Sequence, residues 1–246
     1  MTNKIKFKLI NYTLLNSTNK KIKSLLKKNS KLNNLCVTAD NQTHSYGRRN
    51  SKWHSYIGNL HLSILIKPNC LVSKINQLSF ISALSFGEII SSKKNKNKIK
   101  YKWPNDILLN KSKVGGIIIE SSINVKKKVK WIIIGVGINI TKSPKLKNES
   151  IKATSLHEQK IIINKDTLTH LLINNFFKNY IKWKKDGFKH FKKKWENNLI
   201  KKNNKVIIKK NGKLYRGSFL NLSDDGSLNL SINNKSINLC FGNQII

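Results

Sequence analysis

The chain has 246 residues, and its 48 lysines and arginines so outnumber its 11 acidic residues that the formal net charge is +37. This length allows one main domain with its own core and a smaller second one. Three scattered cysteines exclude a disulfide framework, and the short apolar runs exclude a helix that crosses a bilayer. With lysines interrupting the amino terminus, these features predict a cytoplasmic protein that is not bound to a membrane.

The positive charge has two interpretations. A selected basic surface would bind nucleic acid or another polyanion. Lysine, however, occurs all along the chain together with many asparagines and isoleucines, the residues that A/T-rich codons supply, and this favours compositional drift. Arginine is better suited to bidentate phosphate recognition and occurs only at Arg48, Arg49 and Arg216. The adjacent pair Arg48-Arg49 is therefore notable under either interpretation.

The amino-terminal segment predicts a strand, a helix and a second strand. Residues 5–15 predict the first strand, and the apolar residues that follow at helical spacing predict the helix. Ser17 or Thr18 can cap that helix by accepting a hydrogen bond from a backbone N–H two or three residues on. Residues 35–39 predict the second strand, and the loop at 40–54 has no periodicity. A loop of this length in a compact domain is typical of a lid or a binding loop.

The middle of the chain predicts a strand, a long helix and a tight turn. Residues 60–66 predict the strand, residues 75–90 an amphipathic helix, and the lysine-rich residues 93–100 a charged connection. The motif at 102–106, Lys-Trp-Pro-Asn-Asp, predicts a turn because proline fixes φ and the next two side chains bond to local backbone. A short strand is predicted directly after it, at 107–109.

Two glycine-containing apolar runs follow the turn. Lys113 precedes the first run, in which Gly116 lets a backbone or a ligand approach closely, and a lysine beside such a gap can anchor a carboxylate or phosphate. The plain alternative is a buried hairpin with a solvated lysine. In the strand predicted over 131–140, Gly135 and Gly137 would allow a flat ligand to lie against the sheet. This is not a dinucleotide fingerprint, because the third glycine and the following helix are missing.

The last third predicts two helices and then a small β-rich unit. The first helix is predicted to be capped at Asp166, and the second covers 188–195. Residues 205–246 predict a small barrel, because hairpin signals divide them into short strands. These signals are Asn211-Gly212, Asp224-Asp225-Gly226 and Asn233-Asn234. The predicted domains are therefore 1–201 and 202–246.

These features suit activation of a carboxylate by ATP. Cations and backbone donors around a glycine-floored pocket stabilise the charge that develops on an α-phosphate as pyrophosphate leaves. A Walker loop, a Gly-x-Ser-x-Gly elbow and a clustered set of metal-ligating residues are missing from the sequence. The predicted chemistry is therefore neither nucleophilic nor metal-centred.

The order of the motifs resembles that of a biotin–protein ligase. The matching strings are Ser17-Thr18-Asn19, Gln42 before Gly-Arg-Arg and Lys-Trp, Lys-Trp-Pro-Asn-Asp, Lys-x-Gly-Gly-Ile before Glu, and Gly-x-Gly-Ile-Asn. The resemblance covers essentially the whole chain. It implies an α+β fold with a mixed β-sheet flanked by helices, related to class II aminoacyl-tRNA synthetase domains. It also implies a small C-terminal SH3-like β-barrel.

The resemblance further implies an ATP-dependent ligase. Such an enzyme makes biotinyl-5′-adenylate from biotin and ATP with Mg²⁺. It then transfers biotin to one lysine of the biotin carboxyl carrier protein of acetyl-CoA carboxylase. A homodimer is compatible with the family. Only 16 residues precede Ser17, so the winged-helix domain of some relatives is expected to be missing and specific DNA binding is not expected.

The resemblance assigns roles to individual residues. The residues implied to contact biotin are Ser17, Thr18, Asn19, Gln42, Tyr46, Gly47, Arg48, Lys113, Gly116 and Gly135. The residues implied to contact the nucleotide are Arg48, Arg49, Trp53, Lys113, Gly137 and Asn139. Lys113, Arg48 and Asp106 are implied to be catalytic, with Asp106 as general base or orienter for the attacking lysine. No residue is assigned to a metal.

The loop before Trp53 departs from the family pattern. The family usually reads Gly-Arg-Gly-Arg-Arg-Gly-Arg, whereas the chain has Ser-Tyr-Gly-Arg-Arg-Asn-Ser at residues 45–51. Tyr46 still offers its backbone N–H, and weaker retention of the adenylate is expected. Two alternatives stay open at this point. They are a lipoate–protein ligase, although the chain lacks that family's Arg-Arg-x-x-Gly-Gly-Gly string, and a polyanion-binding protein on a degenerate ligase fold.

Overall fold

A large mixed sheet forms the centre of the computed structural model, which describes residues 5–92, 99–145, 151–201 and 204–245. Its strands are β1 (Lys8–Leu15), β2 (Leu35–Gln42), β3 (Leu60–Ile66), β4 (Ile99–Lys102), β5 (Asp106–Leu109), β6 (Ser112–Ile123) and β7 (Val129–Ile138). They lie in the order β1-β2-β3-β7-β6-β5-β4. The β1–β2 pair is parallel and the other neighbouring pairs are antiparallel. The predicted α+β class and mixed sheet are thereby confirmed.

The helices cover both faces of this sheet. In the described ranges they are α1 (Thr18–Lys28), α2 (Gln77–Ser91), α3 (Lys165–Asp186) and α4 (Lys189–Glu196). Side chains alternate along a strand, so each strand contributes to two apolar layers. Leu65 and Ile133 pack with Ile22 of α1 on one face. Ile64 and Ile134 belong to the larger cluster on the other face, which includes the apolar side chains of α2 and α3.

One predicted helix cap is confirmed and one is wrong. The Ser17 hydroxyl accepts a hydrogen bond from the Lys20 N–H at 3.5 Å and caps α1. For α3, the prediction of Asp166 is wrong, because the side chain of Asn164 accepts from the Thr167 N–H at 2.7 Å. Asn164 has the extended backbone that a cap residue requires, whereas Asp166 lies inside the first turn. A carboxylate there still favours the helix through the macrodipole.

The Lys-Trp-Pro-Asn-Asp motif forms the predicted turn between β4 and β5 and also joins the large sheet to the C-terminal strands. The Trp103–Pro104 peptide bond is cis. The Trp103 side chain is buried and donates from Nε1 to the Gly226 carbonyl at 3.1 Å. Its backbone N–H donates to Oε1 of Gln244 at 3.0 Å. One residue of the motif therefore anchors two distant parts of the carboxyl-terminal region.

The C-terminal region is an antiparallel sheet in the order β11-β10-β9-β8-β12. Its strands are β8 (Lys205–Lys210), β9 (Lys213–Leu222), β10 (Leu228–Ile232), β11 (Lys235–Leu239) and β12 (Asn243–Ile245). The three predicted hairpin signals lie at its turns, and Asn211, Gly212, Asn233 and Asn234 have the positive φ that such turns require. The small β-rich unit is confirmed.

The predicted closure of that unit into a barrel is not observed. Among the described residues the edge strands β11 and β12 are not paired with each other. β12 is only three residues long and pairs with β8. Its central residue Gln244 instead bonds to Trp103 and to the Ile200 carbonyl, so this edge is turned towards the larger sheet. The division at 201/202 stays a prediction.

Smaller differences concern element ends. β2 continues to Gln42, which was predicted to lie in the loop, and β7 covers 129–138 rather than 131–140. Most of the predicted connection at 93–100 lies outside the described residues, and β4 begins at Ile99. No helix in the described part of the chain has both the length and the apolar character needed to cross a membrane.

Candidate functional site

A cavity of about 710 Å³ opens between the large sheet, the start of α1, the loop after β2 and strand β12. Every site residue predicted from the sequence lines it except Asn139. The lining predicted residues are Ser17, Thr18, Asn19, Gln42, Tyr46, Gly47, Arg48, Arg49, Trp53, Asp106, Lys113, Gly116, Gly135 and Gly137. Segments separated by long stretches of sequence therefore meet at one place.

The amino-terminal end of α1 forms a buried polar corner of the cavity, made of Ser17, Thr18, Asn19 and Gln42. The first three are at most 5% exposed. The backbone N–H and the hydroxyl of Thr18 donate to Oε1 of Gln42 at 2.8 and 3.2 Å. The Ser63 hydroxyl from β3 lies within hydrogen-bond distance of Thr18 and Asn19. These contacts fix the orientation of the corner's donors and acceptors before any ligand arrives.

The floor of the cavity depends on glycines in paired strands. Gly137 lies opposite Gly116 of β6, and Gly135 lies opposite Ser63 of β3. A Cβ on Gly135 would come within 2.8 Å of Oδ1 of Asn19, so a side chain there would displace the polar corner. A Cβ on Gly116 would meet nothing closer than 3.7 Å. Of these two floor glycines, Gly135 is therefore required by a close approach and Gly116 is not.

Trp53 covers the floor at Gly137. A Cβ on Gly137 would lie 2.5 Å from two ring carbons of Trp53. The indole Nε1 is buried and has no hydrogen-bond partner among the described residues. Such a buried donor is available to an acceptor on a ligand. The Lys113 ammonium lies 5.9 Å from the Trp53 ring centroid, so a cation adjoins this aromatic surface.

Two lysines and one carboxylate form the charged centre of the site. Nζ of Lys113 lies 2.8 Å from Oδ1 of Asp106, and Nζ of Lys102 lies 3.2 Å from Oδ2. Burial by itself raises the pKa of Asp106, but the charges and hydrogen bonds of Lys113 and Lys102 outweigh it and hold the pKa below its usual value. Asp106 is therefore ionised at neutral pH and fixes the position of both ammonium groups.

The loop after β2 folds back on itself above this centre. The Gly47 N–H donates to the Ser51 carbonyl at 2.7 Å, and Tyr46 forms an isolated β-bridge with Lys52. Nη1 of Arg48 lies 3.4 Å from Oδ1 of Asn243 and thereby contacts β12. Burial, followed by the charge of Arg49, lowers the pKa of Arg48 from its usual high value, while Asp106 opposes this shift. The loop thus places a guanidinium group over the charged centre.

Asn139 lies apart from the cavity lining. Its side chain is 3% exposed, and its Nδ2 donates to the Thr154 carbonyl at 3.0 Å. Its Oδ1 is buried without a hydrogen-bond partner among the described residues. Contact between Asn139 and a nucleotide stays a prediction.

The cavity also has lining residues to which sequence reasoning gave no role. They are Ser45, Ser51, Lys52, His61, Leu62, Lys102, Asn105, Ile117, Ile118, Val136, Lys209, Asn243, Gln244 and Ile245. Lys102 and Asn105 belong to the Lys-Trp-Pro-Asn-Asp motif, so that string was a signal for them. Asn243 lies 195 residues after Arg48, and nothing in the local sequence connects Asn243 or Gln244 with the loop.

The described residues contain no group of three or more His, Cys, Asp or Glu side chains that could hold a metal ion. A magnesium ion that arrives on nucleotide phosphates needs only one or two protein carboxylates. Asp106 is the carboxylate in the lining, and both its oxygens are engaged by lysines. The site therefore has the character of a cationic cradle for a phosphate or carboxylate.

The sequence model of a family described as the biotin/lipoate A/B protein ligase family matches residues 12–139, which is 128 of the 246 residues. The chain belongs to this family. The bifunctional ligase/repressor BirA of Bacillus subtilis is 32% identical over 231 residues, which cover 92% of this chain and 70% of the relative. The biotin–[acetyl-CoA-carboxylase] ligase of Paracoccus denitrificans is 33% identical over 109 residues, 44% of this chain and 45% of the relative.

The fold of this ligase also matches solved structures of the family. The biotin protein ligase of Aquifex aeolicus in complex with biotin and ATP has a TM-score of 0.78 and 25% sequence identity. The match covers 96% of this chain and 97% of that one. It therefore includes both the large sheet and the C-terminal strands.

His61 of the ligase gives its stability a pH dependence that can be measured. Burial lowers the pKa of His61 to about 4, outweighing the opposing contact with the Tyr56 carbonyl. The unfolded chain, with a pKa near 6.5, then binds more protons, so stability falls as the pH drops from about 6.5 to 4. We expect the free energy of unfolding to fall by about 2 kcal/mol through this group between pH 7.5 and pH 5.

Urea unfolding at pH 7.5 and pH 5 checks this expectation. His61→Gln should remove most of the difference, and His44→Gln, at an exposed histidine, should keep it. The lowered pKa of Asp106 concerns only more acidic solutions, where protonation of carboxylates begins. Equal pH dependence in His61→Gln and the native chain would contradict the assignment.

Proposed function

We propose that this ligase activates biotin with Mg-ATP to biotinyl-5′-adenylate and transfers the biotinyl group to a lysine of the biotin carboxyl carrier protein of acetyl-CoA carboxylase. One observation carries the proposal. A single cavity joins the buried polar corner at α1 to the Lys113–Asp106–Lys102 centre. A ligand with a neutral polar ring at one end would pair with the polar corner. A carboxylate at its other end, next to a phosphate, would pair with the charged centre.

The polar corner favours biotin over lipoate. The ureido ring of biotin has both hydrogen-bond donors and acceptors, whereas the dithiolane ring of lipoate has no N–H or C=O group. The dithiolane ring could not pair with the polar side chains of Thr18, Asn19 and Gln42. Each buried polar group that faced this ring would stay without a hydrogen bond, at a cost of about 1–3 kcal/mol. The names of the relatives from Paracoccus denitrificans and Aquifex aeolicus support the same choice.

In the first proposed step, a biotin carboxylate oxygen attacks the α-phosphorus of ATP. A bond forms between them, the bond from the α-phosphorus to the bridging oxygen breaks, and pyrophosphate leaves with that electron pair. Lys113 and Arg48 stabilise the negative charge that develops on the phosphoryl oxygens. Asp106 keeps the Lys113 ammonium in place, since the two groups are 2.8 Å apart. Lys113 acts on the reacting atoms, and Asp106 acts as a positioning residue.

In the second proposed step, a neutral lysine amine of the carrier attacks the carbonyl carbon of the adenylate. An amide bond forms, the carbon–oxygen bond to AMP breaks, and the amine proton passes to solvent or to the released phosphate. Of the two roles predicted for Asp106 towards the attacking lysine, general base is the less supported, and orientation of that lysine stays a prediction. A carboxylate with a lowered pKa binds a proton weakly, which makes it a poor general base at neutral pH.

Further parts of the proposal rest on the sequence alone. The carrier as acceptor, Mg²⁺ as the ion that accompanies ATP, a homodimer, a cytoplasmic location and a lack of specific DNA binding stay predictions. Magnesium would shield the phosphate charges during the first step. The domain boundary at 201/202 is likewise proposed.

Pyrophosphate release tests the proposed reaction. Purified protein with Mg-ATP should release pyrophosphate when biotin is added and not when lipoate is added. A carrier domain should then become biotinylated, while the same domain with its acceptor lysine replaced by arginine should not. Release with lipoate alone would assign the other substrate of the family. No release with either acid would contradict the proposal.

A further inference from the structure

Glu120 on β6 connects three separate elements beside the polar corner. Its Oε2 accepts a hydrogen bond from Nδ2 of Asn19 at 2.7 Å, and its Oε1 lies 2.7 Å from Nζ of Lys23. The Tyr46 hydroxyl, from the loop after β2, donates to the same carboxylate at 3.1 Å from Oε2. Strand β6, helix α1 and the loop therefore meet at one partly buried group. The sequence motif that ends at Glu120 gave it no role.

The chemistry of the contact favours a persistent bond. Burial first, and then the charge of Glu120, raise the pKa of Tyr46 to about 12, so the phenol keeps its proton and remains a donor. Lys20 lies 5.8 Å from the Tyr46 ring centroid and adds a second contact from α1. Hydrogen bonds to a charged acceptor are stronger than neutral ones. Tyr46 thus links the loop at 43–53 both to α1, through Lys20, and to β6, through Glu120.

We propose that Tyr46 and Glu120 form a latch that holds the loop at 43–53 closed over the α1 end of the cavity. Tyr46 is the loop's donor, and Glu120 is a positioning residue that α1 keeps in place through Asn19 and Lys23. The latch rests on these contacts and does not depend on the proposed function. The consequence for ligand release rests on the proposed function: opening the latch speeds the escape of biotin and its adenylate.

The scarcity of arginine makes the latch measurable without any ligand. An arginine-specific protease can cut only after Arg48, Arg49 and Arg216. The first two lie in the loop, and Arg216 lies in β9, paired with Ile207 of β8. Cleavage after Arg48 or Arg49 therefore reports loop opening. Cleavage after Arg216 reports opening of the C-terminal sheet and serves as an internal reference.

We expect Tyr46→Phe and Glu120→Gln each to raise the rate of cleavage after Arg48 and Arg49 about tenfold, which corresponds to the loss of one hydrogen bond to a charged group. The rate at Arg216 should stay unchanged. Tyr12→Phe is the matched control, because the Tyr12 ring, like that of Tyr46, contacts a lysine of α1. Nζ of Lys21 lies 4.7 Å from the Tyr12 ring centroid. The double variant Tyr46→Phe/Glu120→Gln should be cut little faster than Glu120→Gln, since that substitution already removes the charged acceptor of the same bond.

Two results would overturn the latch. One is a loop cleavage rate in Tyr46→Phe within twofold of the native and Tyr12→Phe proteins. The other is equal acceleration at Arg216, which would make Glu120 a contributor to overall stability. Dissociation of labelled biotin, measured in parallel, should be faster in Tyr46→Phe. If no biotin binds to the native protein, the proposed function fails while the protease result still decides the latch.

Discussion

Replacing Lys113 by alanine is expected to lower the rate of biotin activation by about 10²- to 10³-fold, the range found when one preorganised charge-stabilising group is lost. The Lys113 ammonium lies 2.8 Å from Asp106 and lines the cavity between the polar corner and the Trp53 surface. Under the proposed function, its loss removes a positive charge from the place where charge develops on the α-phosphate. Pyrophosphate release under saturating biotin and ATP measures the effect.

The fold should tolerate this substitution, because Asp106 keeps its contact with Lys102 at 3.2 Å. Lys130→Ala is the matched control. It removes the same charge from an exposed position on β7, so any general effect of the +37 net charge would appear in both variants. Equal rates in Lys113→Ala and Lys130→Ala would contradict a catalytic role for Lys113.

Replacing Gly137 by alanine is expected to destabilise the unliganded protein by about 1–3 kcal/mol, the usual cost of overfilling a packed site. The added methyl group would lie 2.5 Å from two ring carbons of Trp53, so the indole must move off the floor of the cavity. For a chain of this size the change corresponds to a fall in Tm of about 2–12 °C. Thermal unfolding measures it, and ATP affinity should fall as the aromatic surface shifts.

Gly116→Ala provides the comparison on the facing strand. Its methyl group would meet nothing closer than 3.7 Å, so its Tm should change little. The cost of Gly137→Ala should also largely disappear in a Trp53→Ala background, because the group it collides with is gone. Equal Tm values for the two glycine variants, or an unchanged cost without Trp53, would contradict the placement of Trp53 on Gly137.

Much of the fold follows from local sequence, because the responsible interactions are short-range. Ser17 caps α1 through a backbone group three residues away, and Pro104 with Asn105 specifies a turn by itself. Asn211-Gly212 sets a hairpin in the same way. The wrong cap at Asp166 shows the limit of such reasoning. Asp and Asn both suit a helix start, and backbone conformation decides which one is the cap.

The parts that sequence could not supply depend on contacts between distant segments. The contact of Arg48 with Asn243, the collision of Trp53 with a side chain at Gly137, and the meeting of Tyr46 with Glu120 each join residues without a local pattern. The open edge of the C-terminal sheet has the same origin. Gln244 of β12 accepts a hydrogen bond from Trp103, which lies in a distant part of the sequence. Weaker adenylate retention by the altered loop stays a prediction.

The most direct test of the account identifies the compound that the protein makes. The native ligase would be mixed with Mg-ATP and either biotin or lipoate, and the protein-bound nucleotide would be released and weighed by mass spectrometry. The account predicts biotinyl-5′-adenylate with biotin and no acyl-adenylate with lipoate. Lipoyl-adenylate, or no acyl-adenylate with either acid, would contradict it.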